Sequence, residues 1–420
     1  MGSAHRVKKF AAVGLLACVG MYSTAFGGEE NATIPNGEKE RMSAHEVDAS
    51  QMKFKPGKGL QVTSKDGKFR LTTRLRAQMR YTLDQEDGAF SHGFQLRRAR
   101  LLFNGHVFGK HNTFKFELAV SPKDIGLKSG GTISKSPLLD WYFHFSQLRD
   151  LNVRIGQYKV PYSRQRVVSS GNLQMVDRSI ANGEFTLDRD VGFDIRSKDV
   201  GGLGFLRYYA GVYMGEGHSS YANGDFGMMY LARVEALPLG MFKDYSEGAF
   251  ARSTKPKLSI GAAFGYVDEA KKNKGIVGSI PVDGGTTDTL NITADASFRV
   301  SGLSVETAYF WRQGARNPGD AIDEAGEPIA TEPARDGMGY YGQIGYLVPR
   351  QPLEITGRFG QLLSSGPDSG LSDTSEVGLG LNYYFAQHPM KLQADYFHFW
   401  GEDGVAEGSD QVRVQLQMAY

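Results

Sequence analysis

Cysteine is almost missing from this 420-residue chain: the single copy is Cys18, close to the N-terminus. A lone thiol builds neither a disulfide framework nor a thiolate metal site. Long apolar runs are missing too. After the first thirty residues no stretch of eighteen or more apolar residues occurs, which excludes transmembrane helices. Net charge is small: 48 basic and 46 acidic residues leave +2, so any electrostatic selectivity must come from where charges sit. What is plentiful is glycine (53), phenylalanine (25) and tyrosine (20), in a chain whose mean hydropathy is −0.36. Two or three soluble domains fit this length, and so does one large barrel. A β-barrel escapes the hydropathy test because half of each strand faces water.

Arg6, Lys8 and Lys9 precede an apolar stretch from Phe10 to Val19, and Ala25-Phe26-Gly27 offers a small-x-small cleavage site before Gly28. Residues 1–27 read as a secretory signal peptide, which leaves the mature chain without cysteine. Leu15-Leu16-Ala17-Cys18 only weakly resembles a lipoprotein box, since bulky Leu16 sits just before Ala17. Residues 28–53 are polar and without periodicity, and read as a flexible periplasmic segment ahead of a barrel domain at 54–420.

The most informative stretch is Phe69 to Leu83. Its odd positions are apolar or Thr (Phe69, Leu71, Thr73, Leu75, Ala77, Met79, Tyr81, Leu83), and its even positions include Arg70, Arg74, Arg76 and Arg80. Period two means a strand with one apolar and one wet face. Slipping the register by one would turn four arginines toward lipid, at about 2–4 kcal/mol each near the midplane. Together that approaches the stability of a whole domain, about 5–15 kcal/mol, so the arginines are expected to face a lumen. Similar alternation recurs, most cleanly at 290–300 and 411–420, to give about sixteen strands. Short links (109–111, 149–151, 201–204, 301–302, 350–352, 387–389) alternate with long ones (84–93, 122–137, 160–189, 215–228, 268–289, 313–338, 362–375, 401–410). The fold class expected is all-β: a transmembrane antiparallel β-barrel of about 16 strands, with short periplasmic turns and long extracellular loops. Trp141, Tyr266, Trp311, Tyr346, Phe385 and Trp400 fall near strand ends, as interfacial aromatics do.

Polar-face parity adds Arg98, Arg100, Arg154 and Lys159 to the lumen, with Arg97 breaking the alternation near the rim. Guanidinium forks suit phosphate and carboxylate oxygens, and a ladder of weak sites is what conduction requires. The opposing reading is that these cations pair with lumen acids such as Glu117, Asp140, Asp190, Asp194, Glu235, Asp295 and Glu306, and only stiffen the wall. Segment 160–189 combines apolar residues that want burial (Val167, Val168, Leu173, Met175, Val176, Ile180) with Arg164, Arg166 and Arg178. A loop of that length is usually functional, and folding it into the lumen as a constriction satisfies both sets. An external loop at a subunit contact is the alternative.

Phe94-Gln95-Leu96-Arg97-Arg98-Ala99-Arg100-Leu101, Arg154-Ile155-Gly156-Gln157-Tyr158-Lys159-Val160-Pro161-Tyr162 and Arg189-Asp190-Val191-Gly192-Phe193 resemble the signatures of the phosphate-selective porin O/P family. The resemblance covers roughly Phe54 to Tyr420 and implies a sixteen-stranded, trimeric porin in a Gram-negative outer membrane. It also implies a third loop that folds inward and passive diffusion of small anions. The ending Gln417-Met418-Ala419-Tyr420 resembles the terminal signal read by the outer-membrane assembly machinery, with Tyr in place of the commoner Phe. Characterised members gather lysines at the constriction. Here the loop departs from that pattern, with Arg164, Arg166 and Arg178, no lysine beyond Lys159, and Asp177 and Asp188; the expectation is therefore an anion-selective porin, for phosphate or related oxyanions, and not strict phosphate specificity.

A general diffusion porin remains open, as does a barrel enzyme or an adhesin with a plugged lumen. His106, His144 and Ser146 lie on polar faces, yet one strand cannot assemble a triad, and the first fifty residues are short for a plug. The acidic runs at Asp84–Asp87 and Asp320–Glu327 read as solvated loop acids. No cofactor or structural metal is expected.

Overall fold

The computed structural model describes residues 51–128, 131–219 and 227–420. The expected signal peptide, with Cys18, and residues 28–50 of the expected lead-in lie outside them. The first described strand, β1 (Gln51–Lys55), begins three residues ahead of the expected barrel boundary and forms a hairpin with β2 (Gly59–Thr63). The alternating stretches then give β3 (Arg70–Glu86), β4 (Ala89–His106), β5 (Asn112–Ala119), β6 (Leu138–Phe145), β7 (Asn152–Lys159) and β8 (Arg189–Ser197). Next come β9 (Leu206–Tyr213), β10 (Met229–Ala236), β11 (Lys257–Ala270), β12 (Thr286–Val300) and β13 (Leu303–Asn317). The series ends with β14 (Gly337–Leu347), β15 (Leu353–Ser364), β16 (Thr374–Tyr384), β17 (Met390–Trp400) and β18 (Ser409–Ala419).

Sequential antiparallel pairing from β3 to β18 closes into a sixteen-stranded barrel where β18 meets β3, from Asp410 opposite Gln85 to Ala419 opposite Arg76. Closure removes the free edges that an open sheet would expose. Below that seam β2 takes over as the partner of β3, pairing Leu60 with Thr73 and Thr63 with Arg70. Tyr420 exchanges two backbone hydrogen bonds with Leu75 (3.1 and 3.3 Å), and its ring lies 6.4 Å from that of Phe54. Among the described residues no helix is long and apolar enough to cross a membrane.

Burial is inverted relative to a soluble domain. Outward positions such as Leu71, Ile155, Phe193, Ile260, Phe264, Ile344 and Leu379 are exposed, whereas inward Gln78, Asp194, Glu235, Asp295, Glu354 and Gln415 are buried. Tyr346 and Phe385 stand exposed on the outer face, while Trp141, Tyr266, Trp311 and Trp400 are half-buried. An apolar exterior around a polar interior is what a lipid solvent demands.

Three expectations need correction. The loop expected at 84–93 is mostly strand: β3 and β4 continue to a two-residue turn, Asp87-Gly88, with φ of 49° and 75°. Positive φ at both central positions matches the right-handed twist of the flanking strands. The alternation was masked because a β-bulge opposite Gln78/Met79 reverses the parity of β4. Arg97 is the extra residue of that bulge. It is therefore placed well inside the barrel, next to buried Arg98, and not at the rim. One connection on the short-turn end, 237–256, is long and folds back into the lumen.

Candidate functional site

Segment 160–188 leaves β7 and runs through the barrel interior. Three serines organise it. Ser163 caps α2 (Arg164–Val167), Ser169 caps a 3-10 turn at Ser170–Asn172, and Ser179 caps α3 (Ile180–Phe185). Each side-chain oxygen accepts from a backbone N–H that the turn leaves free. Val160, Tyr162, Ala181, Phe185 and Leu187 are buried against inward residues of β9 to β15, with Phe185 stacked on Phe310 at 6.2 Å. Gly339 makes room for this packing: a Cβ there would sit 2.7 Å from the Phe185 ring.

On that side of the lumen nearly every cation is held by carboxylates. Arg164 is 3% exposed and bonds Asp244 (2.6 Å) and Asp295 (2.8 Å). Arg233 bonds Glu235 and Asp295, and Arg207 reaches Glu235 and Asp244. Glu184 on α3 gathers Arg312, Arg335 and Lys274 at 2.6–2.9 Å. Arg358 pairs with Glu376 and also donates to the Asp177 carbonyl, while Lys391 donates to the Leu173 carbonyl at 2.6 Å. Of the lumen acids expected from parity, Glu306 meets Arg299 and Asp194 meets Arg196. Asp190 instead accepts backbone N–H groups of Val191, Gly215 and Gly217.

The opposite side, along β3 to β6, is different. A cavity of about 580 Å³ on the long-loop side is lined by Arg80, Arg97, Asp177 and Arg413. A second, of about 220 Å³, is lined by Arg74, Arg76, Arg100, Lys115, Glu117 and Ser169, and a third, of about 370 Å³, shares Arg74 and Lys115 and adds Thr72, Asn104 and Tyr142. Asp124 stands between the first two, 3.7 Å from Arg97 and 3.1 Å from Arg100. It is presented by α1 (Pro122–Ile125), a single helical turn of the 120–137 loop, with Ser121 as N-cap and Gly126 in the left-handed C-cap conformation. Read only as a long link, 122–137 does not single out Asp124. Its signal was present as Ser-Pro at the start and Gly at the end of a turn.

Within this neck the cations have fewer acid partners. Arg76 donates only to the Ser169 and Ser170 hydroxyls (2.8 and 3.0 Å). Lys159 and Arg178 donate only to loop carbonyls, Lys159 to Arg166 and Val168, and Arg178 to Gln165, Arg166 and Val168. Arg74 makes no hydrogen bond or ion pair with the described residues. Arg100 and Lys115 share Glu117, Arg189 bonds Asp140 at 2.5 Å, and Arg166 pairs with Asp188. Glu117 feels the charges of Lys115, Arg100, Arg189 and Arg76, and Lys159 those of Arg178, Arg189 and Arg166, so this is one cluster. Eight cations (Arg74, Arg76, Arg100, Lys115, Lys159, Arg166, Arg178, Arg189) meet four carboxylates (Glu117, Asp124, Asp140, Asp188).

The remaining expected site residues lie apart. Arg70 sits at the short-turn end and donates to Thr63 at 3.4 Å, and Arg154 stacks over Tyr142 (4.3 Å) and Tyr158 (5.2 Å). Arg80 and Arg98 bracket Asp177 at 2.5 and 3.1 Å. Burial would raise the Asp177 carboxyl, yet the Arg98, Arg80 and Arg413 guanidiniums hold it well below the usual carboxylate range. Asp188 behaves alike: burial opposes its charge, and Arg166 and Arg189 hold the carboxyl low. Burial, then neighbouring Arg166, presses the Arg178 pKa down to about 9, which still leaves it charged at neutral pH. Among the described residues no group of three or more His, Cys, Asp or Glu side chains is arranged to hold a metal ion.

A family model described as "Phosphate-selective porin O and P" matches residues 69–420. The chain belongs to that family. It is an outer-membrane barrel of the Gram-negative type, so its long loops are extracellular and its short turns periplasmic. A curated relative, an uncharacterized protein of Aquifex aeolicus, is 24% identical over 67% of this chain. That match spans 66% of the relative, just under two thirds of its length. Among solved structures, an anion-selective porin from Comamonas acidovorans is 16% identical, with a TM-score of 0.55 over 83% of this chain and 99% of that one. A loop-deletion form of OmpT, an outer membrane protein of Vibrio cholerae, aligns over the same shares with a TM-score of 0.55 at 12% identity. A trimer form of OmpT aligns over 83% of this chain and 99% of that one, at 12% identity with a TM-score of 0.52. These likenesses concern the fold.

Proposed function

We propose that this porin passes small anions by passive diffusion through the neck between segment 160–188 and the β3–β6 wall, with phosphate or related oxyanions as the solute class. The observation that carries the reading is the excess of cations over carboxylates in that neck, with Arg74, Arg76, Lys159 and Arg178 free of carboxylate partners. Unpaired guanidiniums leave donors for an anion that sheds part of its water, and several weak sites in series allow it to leave. Arg80 lines the path on the extracellular side and Arg100 lines it in the neck, where Lys115 joins it, whereas Arg98 is buried and acts through Asp177 of the inner loop. Arg166 and Arg178 sit at the constriction, whereas Arg164 acts as a staple and Arg70 and Arg154 act near the periplasmic mouth. The name of the Comamonas relative agrees with anion selectivity.

A reversal potential across a planar bilayer under a KCl gradient tests this. Anion selectivity is expected, and cation selectivity would overturn the reading. Millimolar phosphate should then lower the chloride current. An unchanged current would leave a general anion-leaning diffusion porin.

The same reading has the chain act as a channel and not an enzyme. The Ser146 hydroxyl is 3.5 Å from the His111 ring, but that pair sits in an exposed turn, and His144 faces Arg154. A homotrimer fits the wall from β5 to β10, whose strands have eight or nine residues. That is at or below the ~9–11 residues needed to cross lipid alone, and neighbouring copies would shield it. Cross-linking in native membranes should give trimers; a monomer ladder alone would refute this. Tyr420, at the barrel seam, is proposed as the mark read by the assembly machinery, and Tyr420→Ala should lower barrel yield in the membrane.

A further inference from the structure

The periplasmic connection 237–256 is not a turn. Asp244, Ser246 and Glu247 are 3%, 5% and 3% exposed, deep inside the barrel, although both flanking strand ends lie at the periplasmic rim. Two carboxylates carry the segment's contacts upward. Asp244 accepts from Arg164 of the constriction loop at 2.6 Å and is itself held by Arg207 and Ser259. Glu247 accepts from the Gln174 backbone N–H of the same loop at 2.7 Å and from Gln343 of β14 at 3.0 Å. Its own N–H donates to the Asn172 carbonyl at 3.0 Å. From below, the segment is pinned to the barrel. Arg299 donates to the Lys243 and Ser246 carbonyls, Phe250 packs edge-on against Tyr384 at 4.8 Å, and Arg252 donates to the Leu347 and Val348 carbonyls.

We propose that segment 237–256 is a brace that fixes the constriction loop from the periplasmic side, with Asp244 and Glu247 as its positioning residues. The loop enters from the extracellular side and would otherwise be held there only by wall side chains. A second inward segment, anchored on the opposite rim, clamps it at Arg164 and at 172–174. A buried carboxylate accepting from a guanidinium and from backbone N–H groups is strong and directional, which suits setting a position. A periplasmic vestibule of about 800 Å³ lies against the segment, lined by Phe242, Lys243, Phe250, Arg299, His388 and Arg74. Above it the brace and segment 160–188 occupy the lumen beside β10–β17, so the route onward from the vestibule runs along the β3–β6 side. This inference rests on the reading of 160–188 as the constriction.

The test uses the full-length porin in planar bilayers. The wild-type channel should show one quiet conductance level, and Asp244→Asn combined with Glu247→Gln a noisy one with larger substates, while the reversal potential keeps its sign. Wild-type conductance and noise in that variant would overturn the brace. Should the variant fail to fold, shown by loss of heat-modifiable migration, Asn172→Cys with Glu247→Cys decides. The oxidised pair should give a quiet channel that becomes noisy on reduction. No cross-link, or no difference between the two states, would overturn the inference. Deleting 164–180 separates the two claims. Unchanged conductance there removes the loop from the constriction, whereas raised conductance beside a wild-type double variant removes only the brace.

Discussion

Arginine does two different jobs on the two sides of this lumen. Beside β10–β17, Arg164, Arg233, Arg312 and Arg358 are almost wholly buried and each is tied to a carboxylate, on a neighbouring strand for Arg358 and far away in the chain for the other three. Beside β3–β6, Arg74, Arg76 and Arg100 line cavities, and the first two lack a carboxylate partner. One set joins the inner loop to the barrel; the other presents charge to whatever passes. The lesson is that lumen arginines cannot be counted toward selectivity until their partners are known.

Removing a cation from the paired side should do the most harm. Arg164→Met leaves Asp244 and Asp295 buried without their shared donor, and breaking such a pair costs about 3–5 kcal/mol. Thermal unfolding should occur at distinctly lower temperature. A loss below about 1 kcal/mol would put the pair among weak surface salt bridges and blur the contrast.

Acid should act next, through the loop carboxyls. Asp177 and Asp188 are held below their unfolded value of about 4, so the stability they contribute is complete above roughly pH 5. It is lost as pH falls through the depressed folded values. Conductance should therefore stay level from neutral pH to about 5, then change as the loop loosens in stronger acid. A transition near pH 6 or 7 would assign loop control to other groups.

The smallest structural effect and a clear functional one are expected for Arg76→Ala. It removes two hydrogen bonds to serine hydroxyls, at about 1 kcal/mol each, offset by relief of the repulsion from Arg100 and Arg74, while taking a positive charge from the neck. Stability should barely move and anion selectivity should fall. The reverse pattern would make Arg76 a staple like Arg164.

The barrel was legible because period-two alternation reports directly on a two-faced wall: the sixteen strands follow the alternating stretches. Arg76 and Arg80 could be turned inward on lipid cost alone. Arg97 was misplaced because a bulge, invisible in composition, reverses parity at one residue. The pairing was not legible at all. Asp177 meets Arg80, Asp244 meets Arg164 and Glu184 meets Arg312 across separations of 80 to 128 residues, set by three-dimensional closure. Segment 237–256 escaped for the same reason, since what makes it an inward element is its partners.

The two-sided lumen is tested most directly by matched cysteines on opposite walls. Thr72 on β3 lines the periplasmic cavity of the open side, and Thr293 on β12 is fully buried on the filled side. In a mature chain read as free of cysteine, Thr72→Cys and Thr293→Cys are recorded as single channels while a sulfonate-bearing thiol reagent is added. A prompt step in current for Cys at 72 and none at 293 is predicted. Comparable modification at both, or at 293 alone, would contradict a conduction path confined to the β3–β6 wall.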